Sequence, residues 1–312
     1  MVVKIAGLIS QSVAAFIADG ALTYGAAIAY YTIFAIAPVL LIVIAVAGLA
    51  FGHDAAQGAI VAQLSGLMGQ QSAEALQSML RSVHSSGSGT LATIVGIVTL
   101  LITASGVFGE MQTSLNAIWK ARPNTSAVSR LIRARIVSLG LVMALGFLLM
   151  VSLAVSAALA AVGSYLNDFF PGIHLLLQIL NFIISFLLIS LLFAAIYKFL
   201  PDTPIAWRDV AIGAVATALL FTVGKTLIGL YIGSSQVASS FGAAGALIVI
   251  LLWIYYSAQI FLLGAEFTKC YAHSHGSKTS HRTPTPLDGV PARPSERAAR
   301  PRASDAATRP WR

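Results

Sequence analysis

The sequence predicts an all-α, polytopic membrane protein with six transmembrane helices and amphipathic helices at the membrane surface. Of the 312 residues, 57% are hydrophobic and only 10% are charged, whereas a soluble protein of this size carries about 25% charged residues. Several apolar stretches reach the roughly 18 residues that indicate a transmembrane helix. The net charge of +8 is concentrated in a few segments, as is typical of membrane proteins with a fixed orientation.

Residues 1–20 predict an amphipathic helix that lies on the membrane surface, because apolar side chains recur there at helical spacing. The first span, about 21–52, follows. At about 1.5 Å per residue it is longer than a hydrocarbon core of about 30 Å. Pro38 lies in its middle, where proline removes a backbone hydrogen bond and kinks a helix. Pro38 is therefore a candidate hinge, and two roles stay open: the bend only shapes packing, or it also lines a pathway.

Five further apolar stretches complete a predicted transmembrane domain of residues 21–271. They cover about 91–108, 136–162, 174–197, 210–232 and 242–267. The polar connection from 53 to 90 keeps helical apolar faces, which predicts short amphipathic helices on the outer surface of the bundle.

The last segment, residues 272–312, is rich in proline and arginine and has almost no large apolar side chain. Such a composition cannot bury a core and predicts a disordered basic tail. The tail is either simply solvated or attracted to anionic lipid or nucleic acid.

The distribution of basic residues predicts the orientation of the chain. Six spans place both termini on one side of the membrane. Lysine and arginine concentrate between residues 110 and 135 and in the tail, whereas the opposite connections hold little besides Arg81. Basic connections face the cytoplasm, so both termini are predicted to be cytoplasmic.

Ionisable residues inside spans are costly and are therefore functional candidates. Lys225 lies in the fifth span and either extends to the outer head groups or faces the bundle interior. Glu110 and Glu266 close the second and sixth spans at the inner face, either in ordinary interfacial positions or paired with Lys198 or Lys269. Further polar residues predicted at this level are Gln112, Asn116 and Gln259.

No catalytic or metal-binding motif stands out. The sequence lacks G-x-x-x-x-G-K-[ST], H-E-x-x-H and G-x-S-x-G, and its six histidines are scattered. The single cysteine, Cys270, excludes an intrachain disulfide and a cysteine-based metal cage. We therefore predict no catalytic residue, no metal and no cofactor, and we do not expect an enzyme.

Four blocks carry a family resemblance: GAAIAYYTIFAIAPVLL, FGEMQTSLNAIWKARP, YKFLPDTPIAWRDVAIGAVATALLF and FGAAGALIVILLWIYYSAQIFLLGAEFTK. Their order and spacing resemble the YihY/BrkB family of bacterial inner-membrane proteins. The resemblance implies six spans with cytoplasmic termini in the inner (plasma) membrane. The family pattern falls on Tyr30, Tyr31, Pro38, Asn116, Trp119, Pro201, Gly213, Tyr231, Gly242, Gly245, Tyr255 and Glu266.

Members of this family are often labelled ribonuclease BN-like or virulence factor BrkB, and some are linked to lipid or lipopolysaccharide-precursor export. A ribonuclease is not expected, because metal-dependent RNA hydrolysis needs clustered ligands or an acid/base pair in a water-accessible site. We expect transport or translocation of a lipid or other amphiphile without an ATPase in this chain. The alternative is a membrane scaffold or partner subunit of an envelope complex, docked through residues 54–83.

The expected partners are membrane lipids, anionic ones included, and an envelope protein; nucleic acid is not expected. The two prolines Pro38 and Pro201 are the candidate hinges. The candidates for a substrate path are Lys225, Glu110, Glu266, Asn116, Lys198, Tyr30 and Tyr31.

Overall fold

The computed structural model describes residues 2–68, 73–74, 76–78, 106–121, 140–141, 144, 146–148, 151–152, 154–156, 158–159, 173–234 and 243–278. Within these ranges all regular secondary structure is helical, as the sequence predicts. The longer helices are α1 (Val2–Ala18), α2 (Ala21–Phe51), α3 (His53–Met68), α4 (106–118), α5 (Ile173–Phe199), α6 (Trp207–Ser234) and α7 (Ala243–Ser274).

Three helical segments of the described chain are long and apolar enough to cross a membrane: Leu175–Phe199, Trp207–Tyr231 and Leu247–Ser274. A fourth candidate is the bent pair Ala6–Ala18 and Ala21–Ile36. Many large apolar side chains of α5 and α6 face outward, which suits contact with lipid rather than with water. The predicted spans at about 91–108 and 136–162 lie largely outside the described residues, so the count of six stays a prediction.

The chain turns sharply between α1 and α2, whose axes differ by 68°. Gly20 adopts φ 70° and ψ 29° at this corner, a left-handed conformation that favours glycine. On α1, Leu8 and Ser12 are buried while Ile9, Val13 and Ile17 are exposed. One face of α1 thus packs on the bundle and the other presents apolar side chains, which fits the predicted surface helix.

The predicted hinge at Pro38 lies inside α2, which continues as one helix from Ala21 to Phe51. The sharp bend of this region is at Asp19 and Gly20 instead. A hinge at Pro38 therefore stays a prediction.

Helix α7 is the central helix of the described bundle and packs against α6, α2 and α1. Helix α7 approaches α6 closely because each of the two helices has a glycine that faces a threonine of the other helix. A Cβ atom added to Gly213 would overlap the Thr268 side chain, and one added to Gly264 would overlap Thr217. Small residues at such positions let helix backbones approach in a membrane. The result is a tight α6–α7 pair, against which α5 packs from the α6 side.

One end of the bundle, here called the basal end, collects the α1–α2 corner, the end of α4, the α5–α6 connection and the end of α7. Helix α7 runs to Ser274, beyond the predicted start of the tail at residue 272. The reason is a set of contacts with the bundle. Asp209 accepts hydrogen bonds from the Ser277 amide and hydroxyl at 3.1 and 2.7 Å, and the Lys278 ammonium lies 4.9 Å from the centroid of the Trp119 ring. Residues 279–312 lie outside the described chain.

Candidate functional site at the basal end

Four charged residues form what we call the basal charge cluster: Asp19, Lys120, Glu266 and Lys269. The Lys120 ammonium lies 2.6 Å from one oxygen of Asp19, and the Lys269 ammonium lies 2.7 Å from the other. Lys269 also lies 3.0 Å from Oε2 of Glu266. Two carboxylates and two ammonium groups make the cluster formally neutral. Of the two alternatives left open for Glu266, an ordinary interfacial position or a pair with Lys198 or Lys269, the structure shows the pair with Lys269.

Local structure places each member of the cluster. Glu266 and Lys269 are three residues apart on α7 and therefore share a helix face. Asp19 occupies the corner between α1 and α2. Lys120 follows α4 with φ 50°, an uncommon conformation for a residue other than glycine. The amide of Ala121 donates to the Asn116 carbonyl at 2.9 Å, so α4 ends in a tight turn that brings the Lys120 ammonium to Asp19.

The two carboxylates of the cluster have different surroundings. Burial opposes ionisation of Asp19, but hydrogen bonds from Lys120 and Lys269 outweigh it and lower the pKa of Asp19 to about 2. Glu266 is 0% exposed. Its Oε1 has no hydrogen-bond partner among the described residues. A buried charge is costly unless it is paired and its remaining lone pairs are satisfied, so Glu266 is the incompletely compensated member.

A second contact at the basal end joins α4 to the α5–α6 connection. The Asn116 side-chain amide donates to Asp202 at 2.8 Å, and the Asp202 backbone amide donates back to the Asn116 oxygen at 2.8 Å. Gln112 adds a hydrogen bond to Asp202 at 3.2 Å. The connection contains Pro201, which is buried. Asn116 thus fixes the backbone of this connection at the basal end.

Two other candidate residues of this region, Lys198 and Glu110, lie outside the basal charge cluster. The Lys198 ammonium donates to the Ile205 carbonyl and lies 5.3 Å from the centroid of the Trp207 ring. Among the described residues, neither Glu110 nor Glu266 pairs with it. Glu110 is half-buried on α4, and this burial raises its pKa.

The remaining candidates lie away from the basal end. Lys225 is half-buried on α6, about 27 Å along the helix from Trp207 at about 1.5 Å per residue. Within the described residues no ion pair or hydrogen bond reaches it. Tyr30 and Tyr31 are exposed on α2 and meet edge to face, with ring centroids 5.7 Å apart. A Cβ atom added to Gly106 would lie 3.3 Å from the Tyr31 ring, so the two residues are close. The structure therefore separates Lys225 and the tyrosines from Glu266, Asn116 and Lys198.

Three aspartates of the basal end, Asp19, Asp202 and Asp209, are absent from the predicted site. In the sequence each stands near the end of a helix, where aspartate is ordinary. Their partners are 101, 86 and 68 residues away, so no local spacing indicates the contacts. Among the described residues, no group of three or more His, Cys, Asp and Glu could hold a metal ion.

Long apolar helices with lipid-facing outer surfaces, and polar contacts gathered at one end, define a polytopic α-helical membrane protein. The chain belongs to the family described as "Virulence factor BrkB", whose model matches residues 12–287. This confirms the resemblance to the YihY/BrkB family that the sequence blocks carry.

Two curated relatives are named as membrane proteins. A "UPF0761 membrane protein" of Alcanivorax borkumensis is 32% identical over 258 residues, which cover 80% of this chain and 57% of that protein. One of Pseudomonas aeruginosa is 30% identical over 255 residues, covering 80% and 59%. The chain thus spans less than two thirds of the length of these relatives. No solved structure matches it.

Proposed function

We propose that this protein translocates a lipid or other amphiphile with an anionic head group across the bacterial inner membrane, without an ATPase of its own and without catalysis. The observation that carries the proposal is Lys225. It is a half-buried cation within a helix long enough to span the membrane, and no carboxylate among the described residues neutralises it.

The surroundings of Lys225 fit such a ligand. Val223, Leu227 and Leu230 on the same helix are exposed. An uncompensated charge at membrane depth is costly. An anionic head group would supply the counter-charge that the described residues do not provide, while acyl chains would remain against the apolar side chains.

The basal end supports a second position for a head group. Lys120 is 67% exposed although it is paired with Asp19, and Asp19 directly follows α1. The predicted cytoplasmic orientation, which follows from the basic residues, would put this position at the inner leaflet. Lys225 would then lie nearer the outer leaflet, so the two cations would mark opposite ends of a head-group path.

Translocation by purified protein in lipid vesicles tests the proposal. The vesicles contain a fluorescent phosphatidylglycerol analogue, and a membrane-impermeant reductant reports how much of it reaches the outer leaflet. We expect faster exchange than in empty vesicles, loss of that exchange in Lys225→Gln, and its retention in Lys225→Arg. Arg208→Gln is the matched control, because it removes one exposed positive charge from the other end of the same helix.

Native mass spectrometry of the same variants reports binding separately from movement. We expect phosphatidylglycerol to remain bound to the parent protein and to leave Lys225→Gln. Retention of the lipid by both forms would mean that Lys225 only extends to the head-group region. Exchange no faster than in empty vesicles would contradict translocation and favour the scaffold alternative.

A further inference from the structure

The Lys269 ammonium contacts two carboxylates, and the charge of Glu266 is compensated less completely than that of Asp19. Asp19 holds two ammonium groups, at 2.6 and 2.7 Å, one on each oxygen. Glu266 holds only the shared one, at 3.0 Å on Oε2. Its Oε1 is buried and has no hydrogen-bond partner among the described residues. A proton on that oxygen would remove the buried charge that Lys269 compensates only in part.

The groups that face Glu266 are few. Helix α7 itself contributes Lys269 and Cys270, the α1–α2 corner contributes Asp19, and the end of α4 contributes Lys120 beyond Asp19. Helix α6 meets α7 at this level through Gly213 and Thr217, which do not titrate. On the α5 side, the Tyr197 hydroxyl is engaged with the Phe261 carbonyl at 2.6 Å. Among the described residues, therefore, only Lys269 and Asp19 set the balance directly.

We propose that Glu266 is a proton-binding site, and that binding of a phosphate-bearing anion at Lys120 drives proton uptake there. Lys120 is the exposed member of the cluster and the one that an incoming anion reaches first. When the anion draws the Lys120 ammonium away, Lys269 is the only ammonium group left beside Asp19. Lys269 then compensates less of the negative charge of Glu266.

The inner cluster then has two carboxylates and one ammonium group. A proton from solvent binds Oε1 and converts the carboxylate to the neutral acid, which restores neutrality. The reverse sequence releases the proton with the anion. The coupling between anion binding and proton uptake rests on the proposed function, and it would let a proton gradient drive translocation. The proton site at Glu266 does not rest on the proposed function.

Infrared difference spectroscopy of the purified full chain during a pH titration tests the proton site without any transport assay. A buried carboxylic acid gives a resolved C=O stretching band. We expect one such band to appear as the pH is lowered, and to be lost in Glu266→Gln. Glu110→Gln is the matched control, since Glu110 is a half-buried carboxylate outside the cluster. A band that persists in Glu266→Gln, or that disappears in Glu110→Gln, would overturn the assignment.

A second variant keeps Glu266 in place, so the test does not depend on whether Glu266→Gln folds. Lys120→Gln removes the exposed cation and leaves Lys269 to both carboxylates. We expect the midpoint of the band to move upward by about one pH unit, because a nearby opposite charge is lost. An unchanged or lowered midpoint would overturn the link between Lys120 and Glu266.

The coupling is tested by proton uptake from weakly buffered solution when anions are added to the detergent-solubilised protein. We expect uptake of about one proton per chain with mixed micelles of phosphatidylglycerol and none with phosphatidylcholine. Proton uptake with inorganic phosphate as well would support an anion site at Lys120 and show that free phosphate is sufficient to occupy it. No uptake with either anion, while the infrared band is present, would overturn the coupling but leave the proton site and the proposed translocation standing.

Discussion

Lys269 is the residue on which the basal charge cluster depends, because both carboxylates use its ammonium group. In Lys269→Met, Glu266 would remain buried without a counter-charge, whereas Asp19 would keep Lys120. We expect the unfolding free energy to fall by about 3 kcal/mol at alkaline pH, and by less as the pH is lowered, because a proton on Glu266 would remove the uncompensated charge. Denaturant unfolding in detergent at an alkaline and a lower pH measures this.

Lys120→Met is the control for that experiment. It removes the same kind of charge from the same cluster, but from a side chain that is 67% exposed. Exposed ion pairs contribute about 0–1 kcal/mol, so we expect a small change. Equal losses of unfolding free energy in the two lysine variants would contradict the view that Lys269 contributes more than Lys120 because it compensates the buried Glu266.

Asp19 gives a prediction about acid. Its pKa is lowered from 3.8 to about 2 by Lys120 and Lys269. The stabilisation from these hydrogen bonds is therefore fully present above about pH 4 and is lost as the pH falls toward 2. We expect Asp19→Asn to be less stable than the parent by about 1–3 kcal/mol near neutral pH, and the two proteins to converge in strong acid. Thermal unfolding over a pH series measures the difference, and a constant gap down to the lowest pH would contradict it.

At the scale of helices, the contact between α6 and α7 depends on glycine. In Gly213→Ala the new Cβ atom would overlap the Thr268 side chain, and overpacking of this kind costs about 1–3 kcal/mol. Gly229→Ala on the same helix is the control, because no atom of the described residues lies within 4 Å of its added Cβ and alanine favours a helix by up to about 1 kcal/mol. We expect lower thermal stability for the first variant and an unchanged or higher one for the second.

The helices could be predicted from sequence much better than their contacts. Apolar length alone locates α2, α5, α6 and α7 to within a few residues, apart from the C-terminal end of α7, because lipid exposure demands continuous apolar helices. The end of α7 differs most, since Asp209 holds Ser277 across the bundle. That contact joins residues 68 positions apart, and no helical periodicity indicates it.

The contacts of the candidate site could likewise be predicted only in part from the sequence. The pair of Glu266 with Lys269 was one of two alternatives that the sequence left open, although the two residues lie within one helix turn. Asp19 completes the cluster only because Gly20 turns α1 by 68° against α2, a tertiary consequence that the sequence of α1 does not contain. A pair of Lys198 with a glutamate was one of the alternatives left open, but the Lys198 ammonium donates to the Ile205 carbonyl in the turn after α5.

At the scale of the whole molecule, the basal end should face the cytoplasm. The fold puts the α1–α2 corner, the end of α4 and the end of α7 together, and the basic residues predict that this end faces the inside. Asp54, next to the opposite end of α2, and Arg208, at the start of α6, are both exposed. They are suitable positions for reporting the two sides.

Cysteine labelling in intact cells tests this orientation. With Cys270→Ser as background, which removes the only native cysteine, single variants Asp54→Cys and Arg208→Cys are exposed to a membrane-impermeant maleimide. We expect Asp54→Cys to be labelled when the outer membrane is permeabilised and the inner membrane is intact. We expect labelling of Arg208→Cys only after the inner membrane is also opened. The opposite pattern would invert the molecule, place Lys225 nearer the inner leaflet and Lys120 at the outer one, and reverse the direction in which a proton gradient acts on Glu266.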